Sequence, residues 1–329
     1  MVVTAQAKHQ TYPGLRPINL NTDIPQILKL LEVCFGASVH NIDGQRFYTG
    51  PATTNQQAAF LWRLNPAASK LALGFVWEVN GRIVGNVTIL TTKVPGRYLV
   101  VNVAVHPDHR RKGIAHQLMR AVHRMVRTRN GQEILLQVVK TNTPAEELYE
   151  TLNYTNLGSM TSWYAPVSRL HQLDATADGS LSPQIRELRR SEWQAAYQLD
   201  KAALAPELNW PEPLNFDAYQ NGFLRKISNF VNGRSMETWA TTHNNQLTGM
   251  ATILSEWGKT HAASLRIHPE WRGQLERPLL AKLIRRLYYL PRRNVRIDHP
   301  DDDGFTSNLL REANFQPKRT LTHMQLKLN

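Results

Sequence analysis

The stretch Val103-Ala-Val-His-Pro-Asp-His-Arg-Arg-Lys-Gly-Ile-Ala-His-Gln-Leu-Met119 combines three features that together can do chemistry. An apolar run ends at His106-Pro107. A basic loop, Arg110-Arg111-Lys112, follows. An amphipathic run then opens at Gly113-Ile114-Ala115 with no side chain suited to capping a helix. The first N–H groups of a helix have no intrahelical partner, and the helix dipole adds partial positive charge there. Gly113 and Ala115 have almost no side chain, so an anion can approach their backbone closely. The pattern predicts a phosphate cradle at a helix N-terminus, reinforced by three formal charges. Its spacing fits neither Gly-x-x-x-x-Gly-Lys-Ser/Thr nor Gly-x-Gly-x-x-Gly.

The flanking sequence must position this loop. Tyr98 to Val105 reads as an apolar strand, Ala115 to Arg129 as an amphipathic helix, and Glu133 to Val139 as a second strand. The helix has Ala115, Leu118, Met119, Val122, Met125 and Val126 on one face and Arg120, Arg124 and Arg127 on the other. Strand, helix and strand in succession imply a parallel crossover within a mixed sheet. Upstream, Phe75 to Leu90 reads as a hairpin around Asn80-Gly81. A strand over 15–20 leads to a helix over 23–34, with Asn21 or Thr22 as the expected cap. Downstream, Pro144 to Leu152 reads as a short helix and Tyr154 to Val167 as one or two closing strands.

The same order of landmarks recurs half a chain later. Trp77, Gly85 and Thr88-Ile89-Leu90 recur as Trp239, Gly249 and Thr252-Ile253-Leu254. Val103-Ala-Val-His-Pro-Asp108 recurs as Leu265-Arg-Ile-His-Pro-Glu270, and Leu152-Asn-Tyr154 as Ala313-Asn-Phe315. The expected organisation is two copies of one α/β unit over residues 1–167 and 185–329. The stretch 168–184, with Asp178-Gly-Ser-Leu-Ser-Pro183, joins them.

Arg110-x-x-Gly113-x-Ala115 resembles the acyl-CoA pyrophosphate loop of the GNAT superfamily of N-acetyltransferases, Gln/Arg-x-x-Gly-x-Gly/Ala. A second stretch, Asn142-x-x-Ala145-x-x-Leu148-Tyr149-x-x-x-Asn153-Tyr154, resembles a further motif of that family. Asn153 stands where the family usually has Gly; Asn also tolerates a left-handed helix end. The resemblance covers most of residues 13–167 and implies an α/β fold with a mixed, largely antiparallel sheet.

It further implies transfer of an acyl group from acetyl-CoA to an amine by direct attack. Arg110, Arg111, Lys112, Gly113, Ile114 and Ala115 would hold the pyrophosphate. The strand backbone at Val103, Ala104 and Val105 would pair with the pantetheine arm, which Asn142 would also contact. Tyr149 takes the family's general-acid position, and a phenol titrating near 10 is protonated at neutral pH. The base is open. Relatives often place a carboxylate on the strand before the loop, where this chain has none. Glu78 on a neighbouring strand is the candidate base, with Asp43 and His40 as others, and an amine arriving neutral needs none. The rival reading is a non-catalytic acyl-CoA sensor, or a basic adaptor for RNA or an acidic protein.

In the second copy, alignment on His268-Pro269 puts Leu275, Glu276 and Arg277 where Gly113, Ile114 and Ala115 stand, and Leu310 and Asp303 where Tyr149 and Asn142 stand. A branched side chain and a carboxylate oppose phosphate binding, so this copy is expected to keep the fold and lose the cradle. Its run of Arg277, Lys282, Arg285 and Arg286 reads as a solvated helix face or a docking face.

Composition bounds the rest. The net charge of +13, from 39 Lys and Arg against 26 Asp and Glu, attracts anions, and nucleic acid remains a less favoured partner class. A single cysteine, Cys34, excludes a disulfide framework and suits a reducing compartment. No apolar run is long enough to span a membrane, and the start lacks a signal peptide's apolar stretch, so the expected location is cytoplasmic. His106, His109 and His116 lack the spacing of a metal site. A small-molecule or peptide amine is the expected substrate, and the chain is read as a monomer or homodimer.

Overall fold

The computed structural model describes residues 14–36, 71–176, 183–205, 208–209 and 234–328. His40 and Asp43, with most of the 36–68 segment, lie outside them, as do residues 177–182 of the expected linker. The chain divides into two compact units. One comprises Met1–Gln137, Glu147–Thr155 and Gln325–Asn329; the other comprises Val138–Glu146 and Asn156–Met324.

In the first unit the elements run β1 (Gly14–Pro17), α1 (Ile24–Phe35), β2 (Leu71–Val79), β3 (Arg82–Thr91), β4 (Arg97–Val105), α2 (Ile114–Thr128) and, as far as Gln137, β5 (Glu133–Val139). Helix α3 (Thr143–Thr151) follows. The strand order is β1-β2-β3-β4-β5, antiparallel except for the parallel pair β4–β5. That pair flanks α2, as the strand–helix–strand reading requires. Asn80 and Gly81 both take positive φ, 51° and 75°, the hand a two-residue hairpin needs.

Helix α2 lies on the hairpin because Gly85 lets it. A Cβ there would sit 2.8 Å from Ile114 Cγ2 and 3.0 Å from Trp77 Cβ. Leu118, Met119, Val122 and Val126 are fully buried beneath the helix, each stabilising by about 1.5–3 kcal/mol. Ile114, Ala121 and His123 join them, whereas Ala115 and Met125 sit at the margin of the buried face.

The second unit contains β6 (Thr155–Pro166) from Asn156 on, β7 (Arg186–Glu187), α4 (Trp193–Ala203), β8 (Arg234–His243), β9 (Gln246–Glu256), β10 (His261–Ile267), α5 (Glu276–Leu287), β11 (Asn294–Pro300), α6 (Gly304–Glu312) and β12 (Gln316–Lys327) as far as Met324. Its strand order is β12-β6-β11-β10-β9-β8-β7. Strand β6 follows the first copy's last helix in sequence, yet it pairs antiparallel with β11 from Met160↔Pro300 to Pro166↔Asn294. Trp163 and Ala165 of β6 are buried in the second unit's core with Leu279, Leu283, Ile297 and Phe315.

The repeat is visible in the folded elements. Asn244 and Asn245, φ 48° and 64°, turn the second hairpin, and β10–β11 is again a parallel pair. Gly249 is the counterpart of Gly85: a Cβ there would lie 2.8 Å from Leu279 Cδ1 of α5. One landmark shifts. Trp77 faces Gly85, but Thr241, not Trp239, faces Gly249, so the two tryptophans are two positions out of step on the same strand face.

Candidate active site

Strands β4 and β5 pair from Arg97↔Glu133 to Val100↔Leu136, and the pairing stops there. Beyond it β4 bulges. Asn86 and Thr88 of β3 oppose Ala104 and Val101, so Asn102 and Val103 together face one residue, and Asn102 takes a positive φ of 55°. Such a bulge re-aims a strand's amide and carbonyl groups. Asn86, fully buried, donates from Nδ2 to Asn102 O at 2.8 Å and so holds the bulge closed. The sequence pattern passed over Asn86; a lone Asn in the apolar run Ile83–Leu90 was the available signal.

After Val105 the chain makes a 3-10 turn at Pro107–His109, with the His106 side chain accepting from Asp108 N. Arg110 Nε donates to Val105 O at 3.1 Å and Lys112 Nζ to Asp108 O at 3.0 Å, which ties the basic loop back onto its strand. Arg111 and Gly113 both take positive φ, 61° and 73°. Gly113 is the N-cap of α2, with no side-chain cap bond and no acidic residue in the first turn. The first bond of the helix runs from Gln117 N to Gly113 O at 3.0 Å. The amides of Arg111 through His116 therefore have no hydrogen-bond partner among the described residues. A Cβ built on Gly113 meets nothing within 4 Å. The loop is open at this position, and glycine is favoured there by its backbone angle, not by crowding within the protein.

Tyr149 is buried near the end of α3, and burial raises its phenol above the ordinary value. Its ring meets Tyr154 edge-on at 5.8 Å, and its hydroxyl bonds to none of the described residues. The helix ends as the motif needs: Asn153 is left-handed at φ 64°, and Tyr154 N bonds back to Tyr149 O at 3.0 Å. Tyr154 Oη in turn lies 3.1 Å from His123 Nε2 in the buried layer under α2. Burial, with Arg127 and His116 nearby, lowers the His123 imidazole to about 4. Asn142 is exposed at the start of α3, where its carbonyl accepts from Ala145 N and Glu146 N.

Glu78 is engaged elsewhere. Its carboxylate accepts from Arg16 Nε at 2.7 Å, and the same guanidinium bonds Asp23 at 2.6 and 3.1 Å. Asp23, and not Asn21 or Thr22, precedes α1, and it accepts from Asn19 N at 2.7 Å. Arg16 thus ties β1, β2 and the start of α1 together. Cys34 is half-buried against the site, with Sγ 3.4 Å from Val105 O. Burial raises its thiol pKa despite the nearby Arg110.

With this geometry in hand, residues 36–154 match the model of the acetyltransferase (GNAT) family. An N-alpha-acetyltransferase of Saccharolobus solfataricus is 42% identical over 67 residues, which are 20% of this chain and 40% of that protein. An N-alpha-acetyltransferase of Sulfurisphaera tokodaii is 33% identical over 103 residues, 28% of this chain and 61% of that protein. Both relatives are thus matched over less than two thirds of their length. In fold, a GCN5-related N-acetyltransferase from Sphaerobacter thermophilus superposes over 95% of each chain with a TM-score of 0.60 at 16% identity.

The corresponding loop of the second unit is built differently. Leu275 and Glu276 occupy the cap and first position of α5. Glu276 is buried, and its Oε1 accepts from Gly273 N at 3.0 Å, with the amides of Leu275 and Glu276 also turned to the carboxylate. An internal carboxylate thus occupies the anion position of this loop. Leu310 is buried where the first copy has Tyr149. The basic run on α5 is largely consumed within the unit: Arg277 is buried in a two-bond pair with Glu312, Arg286 pairs with Glu237, and Lys282 lies over the Trp239 ring.

Proposed function

We propose that the first unit is an acyl-CoA-dependent N-acyltransferase, using acetyl-CoA as donor and an amine as acceptor. The observation that carries this reading is the run of unpaired amides from Arg111 to His116 beside the open Gly113, at the end of a strand that has left its parallel neighbour. A diphosphate suits that run: it offers several anionic oxygens to consecutive N–H donors at the positive end of a helix dipole. Arg110, Arg111 and Lys112 add charge. The freed backbone of Val103, Ala104 and Val105 is suited to the pantetheine amides. Bound acetyl-CoA supplies a thioester carbonyl as the electrophile.

The bulge at Asn102 and Val103 is assigned to aim backbone donors of β4 at the thioester oxygen, where they would stabilise the oxyanion of acyl transfer. Tyr149 is assigned as the general acid that returns a proton to the thiolate; its raised pKa keeps it protonated through the physiological range. Glu78 is assigned to the Arg16 cluster, and the attacking amine is taken to arrive neutral, its proton passing to water. The α-amine of a peptide, with an ordinary pKa near 8, meets that demand better than an alkylamine. It is therefore the first acceptor class to test, in keeping with the names of the two archaeal relatives.

The test is release of free thiol from acetyl-CoA across a panel of peptides with free N-termini, polyamines and amino sugars. Turnover with at least one amine supports the proposal. The Tyr149→Phe variant should bind CoA as the parent does and lose turnover about 10²–10⁴-fold, the usual contribution of a general acid. CoA binding with no thiol release from any amine would favour an acyl-CoA sensor, the second reading that the engaged Glu78 admits.

A further inference from the structure

At one end of the second unit, exposed aromatic rings and arginines without an acidic partner share a surface. Strand register brings four strand ends there: His261 of β10 pairs with Val295 of β11, Ala262 of β10 with Leu254 of β9, and Asn294 of β11 with Pro166 of β6. Trp257 stands in the turn between β9 and β10, and Tyr288 and Tyr289 lie between α5 and β11. Neighbouring strands are about 4.8 Å apart, so the end of β9 and the start of β11 are separated by roughly 10 Å. Bonds close that gap. Arg293 Nη1 donates to Glu256 O at 2.6 Å and to Lys259 O at 3.4 Å, on either side of Trp257-Gly258, and His261 Nε2 lies 2.9 Å from Pro291 O.

The rings are carried on constrained backbone. Trp257 is 85% exposed and Tyr289 77% exposed. The turn that holds Trp257 is closed by Lys259 N to Glu256 O at 3.1 Å, with Gly258 left-handed at φ 74°, and Arg293 clamps both of its carbonyls. Tyr288 donates its hydroxyl to Leu170 O, and Tyr289 N bonds back to Arg286 O at 3.0 Å. The charge around the rings is one-sided. Arg234 and Lys259 share Glu256, and Arg286 pairs with Glu237. Arg285, one helical turn before the two tyrosines, is exposed, as are Arg292 and Arg169, the neighbour of Leu170. These three arginines pair with no carboxylate among the described residues, and Arg293 spends its donors on neutral carbonyls.

We propose that this end of the second unit is a docking surface for single-stranded RNA, with Trp257 and Tyr289 as stacking platforms and Arg169, Arg285, Arg292 and Arg293 on the phosphates. Flat rings flanked by cations match the two chemistries of an unpaired strand, its bases and its backbone. A duplex keeps its bases stacked on one another, an acidic peptide brings charge without flat apolar groups, and a membrane calls for a broad aliphatic face. The ribose 2′-hydroxyl favours RNA over DNA, because the Tyr289 hydroxyl and the exposed Asn294 amide can bond it. This surface and the Gly113 loop belong to different units, so neither role requires the other.

An unstructured, fluorescein-labelled RNA of about ten nucleotides is the probe, titrated with the full chain and followed by anisotropy. Saturable binding is expected, weakening roughly 7- to 50-fold between about 50 and 200 mM salt, as two to four phosphate contacts on a single strand require. Trp257→Ala and Tyr289→Ala should each weaken binding about 5- to 150-fold, one stacked base apiece. Both side chains are exposed, so the melting temperature of either variant should match the parent's. Arg285→Gln combined with Arg292→Gln should make the salt dependence shallower, whereas Arg111→Gln combined with Lys112→Gln, in the first unit, should leave the RNA affinity unchanged. No anisotropy change up to about 10⁻⁴ M protein, equal or tighter binding of the same strand as DNA, or affinity that survives Trp257→Ala with Tyr289→Ala would overturn the proposal. So would tighter binding to phosphatidylserine vesicles than to the RNA, which would assign the surface to a membrane.

Discussion

Substitution of Gly113 separates backbone geometry from the space a ligand needs. Its φ of 73° is left-handed, and an ordinary L-residue there costs about 1–2 kcal/mol. The free protein adds no clash, because a Cβ at this position meets nothing within 4 Å. Gly113→Ala should therefore fold, with a melting temperature lower by about 2–8 °C. Gly113→Asn should lose less stability, since Asn enters the left-handed region readily, as Asn102 and Asn153 do in this chain. Both variants place atoms where the diphosphate would meet the amides. A hydrogen bond from an amide to a charged oxygen contributes about 1.5–3 kcal/mol, so displacing the ligand from one donor should weaken CoA binding roughly 10- to 150-fold. Calorimetric titration with CoA measures this. Pantetheine, which lacks the diphosphate, serves as the control and should bind parent and variants alike. A Gly113→Asn protein that binds CoA as tightly as the parent refutes the cradle. So does equal weakening of CoA and pantetheine, which would mean general distortion of the site.

Three further outcomes follow from the geometry around the site. Glu78→Gln should lower stability in urea denaturation by breaking the Arg16 pair while changing kcat less than threefold; loss of turnover with the acidic limb of the pH profile would restore Glu78 as the base. Asn86→Val removes the donor to Asn102 O and to the buried Thr88 Oγ1 as well as the unpaired Asn86 Oδ1, so stability should fall by about 1–3 kcal/mol at most while kcat/KM falls as the bulge loosens. His123 titrates near 4 when folded and near 6.5 when unfolded, so the unfolded chain takes up the proton first and stability falls as pH drops from 6.5 towards 4. His123→Gln, which can still bond Tyr154 Oη, should flatten the melting temperature across that window; an unchanged slope would place the acid sensitivity elsewhere.

What the sequence reveals here is local and periodic. The run of side chains along Ile114–Thr128 repeats with the turn of a helix, and Asn80-Gly81 carries a hairpin's backbone in its own composition, so both elements lie within a few residues of their expected places. The proposed cradle is legible for the same reason: its residues, from Arg110 to Ala115, are contiguous. What depends on strand partnership is not. Glu78 reads as an available carboxylate until Arg16, 62 positions away, closes on it. Asn86 reads as an interruption in an apolar strand until the Asn102 carbonyl, 16 residues on, is seen to need a donor. Strand β6 reads as the end of the first copy because it follows α3, but its hydrogen bonds go to β11. The same limit accounts for Glu276. Alignment on His268-Pro269 identifies it as an obstacle to phosphate, a negative feature. The fold shows its side chain accepting from the Gly273 amide, so it satisfies a donor at the start of its own helix.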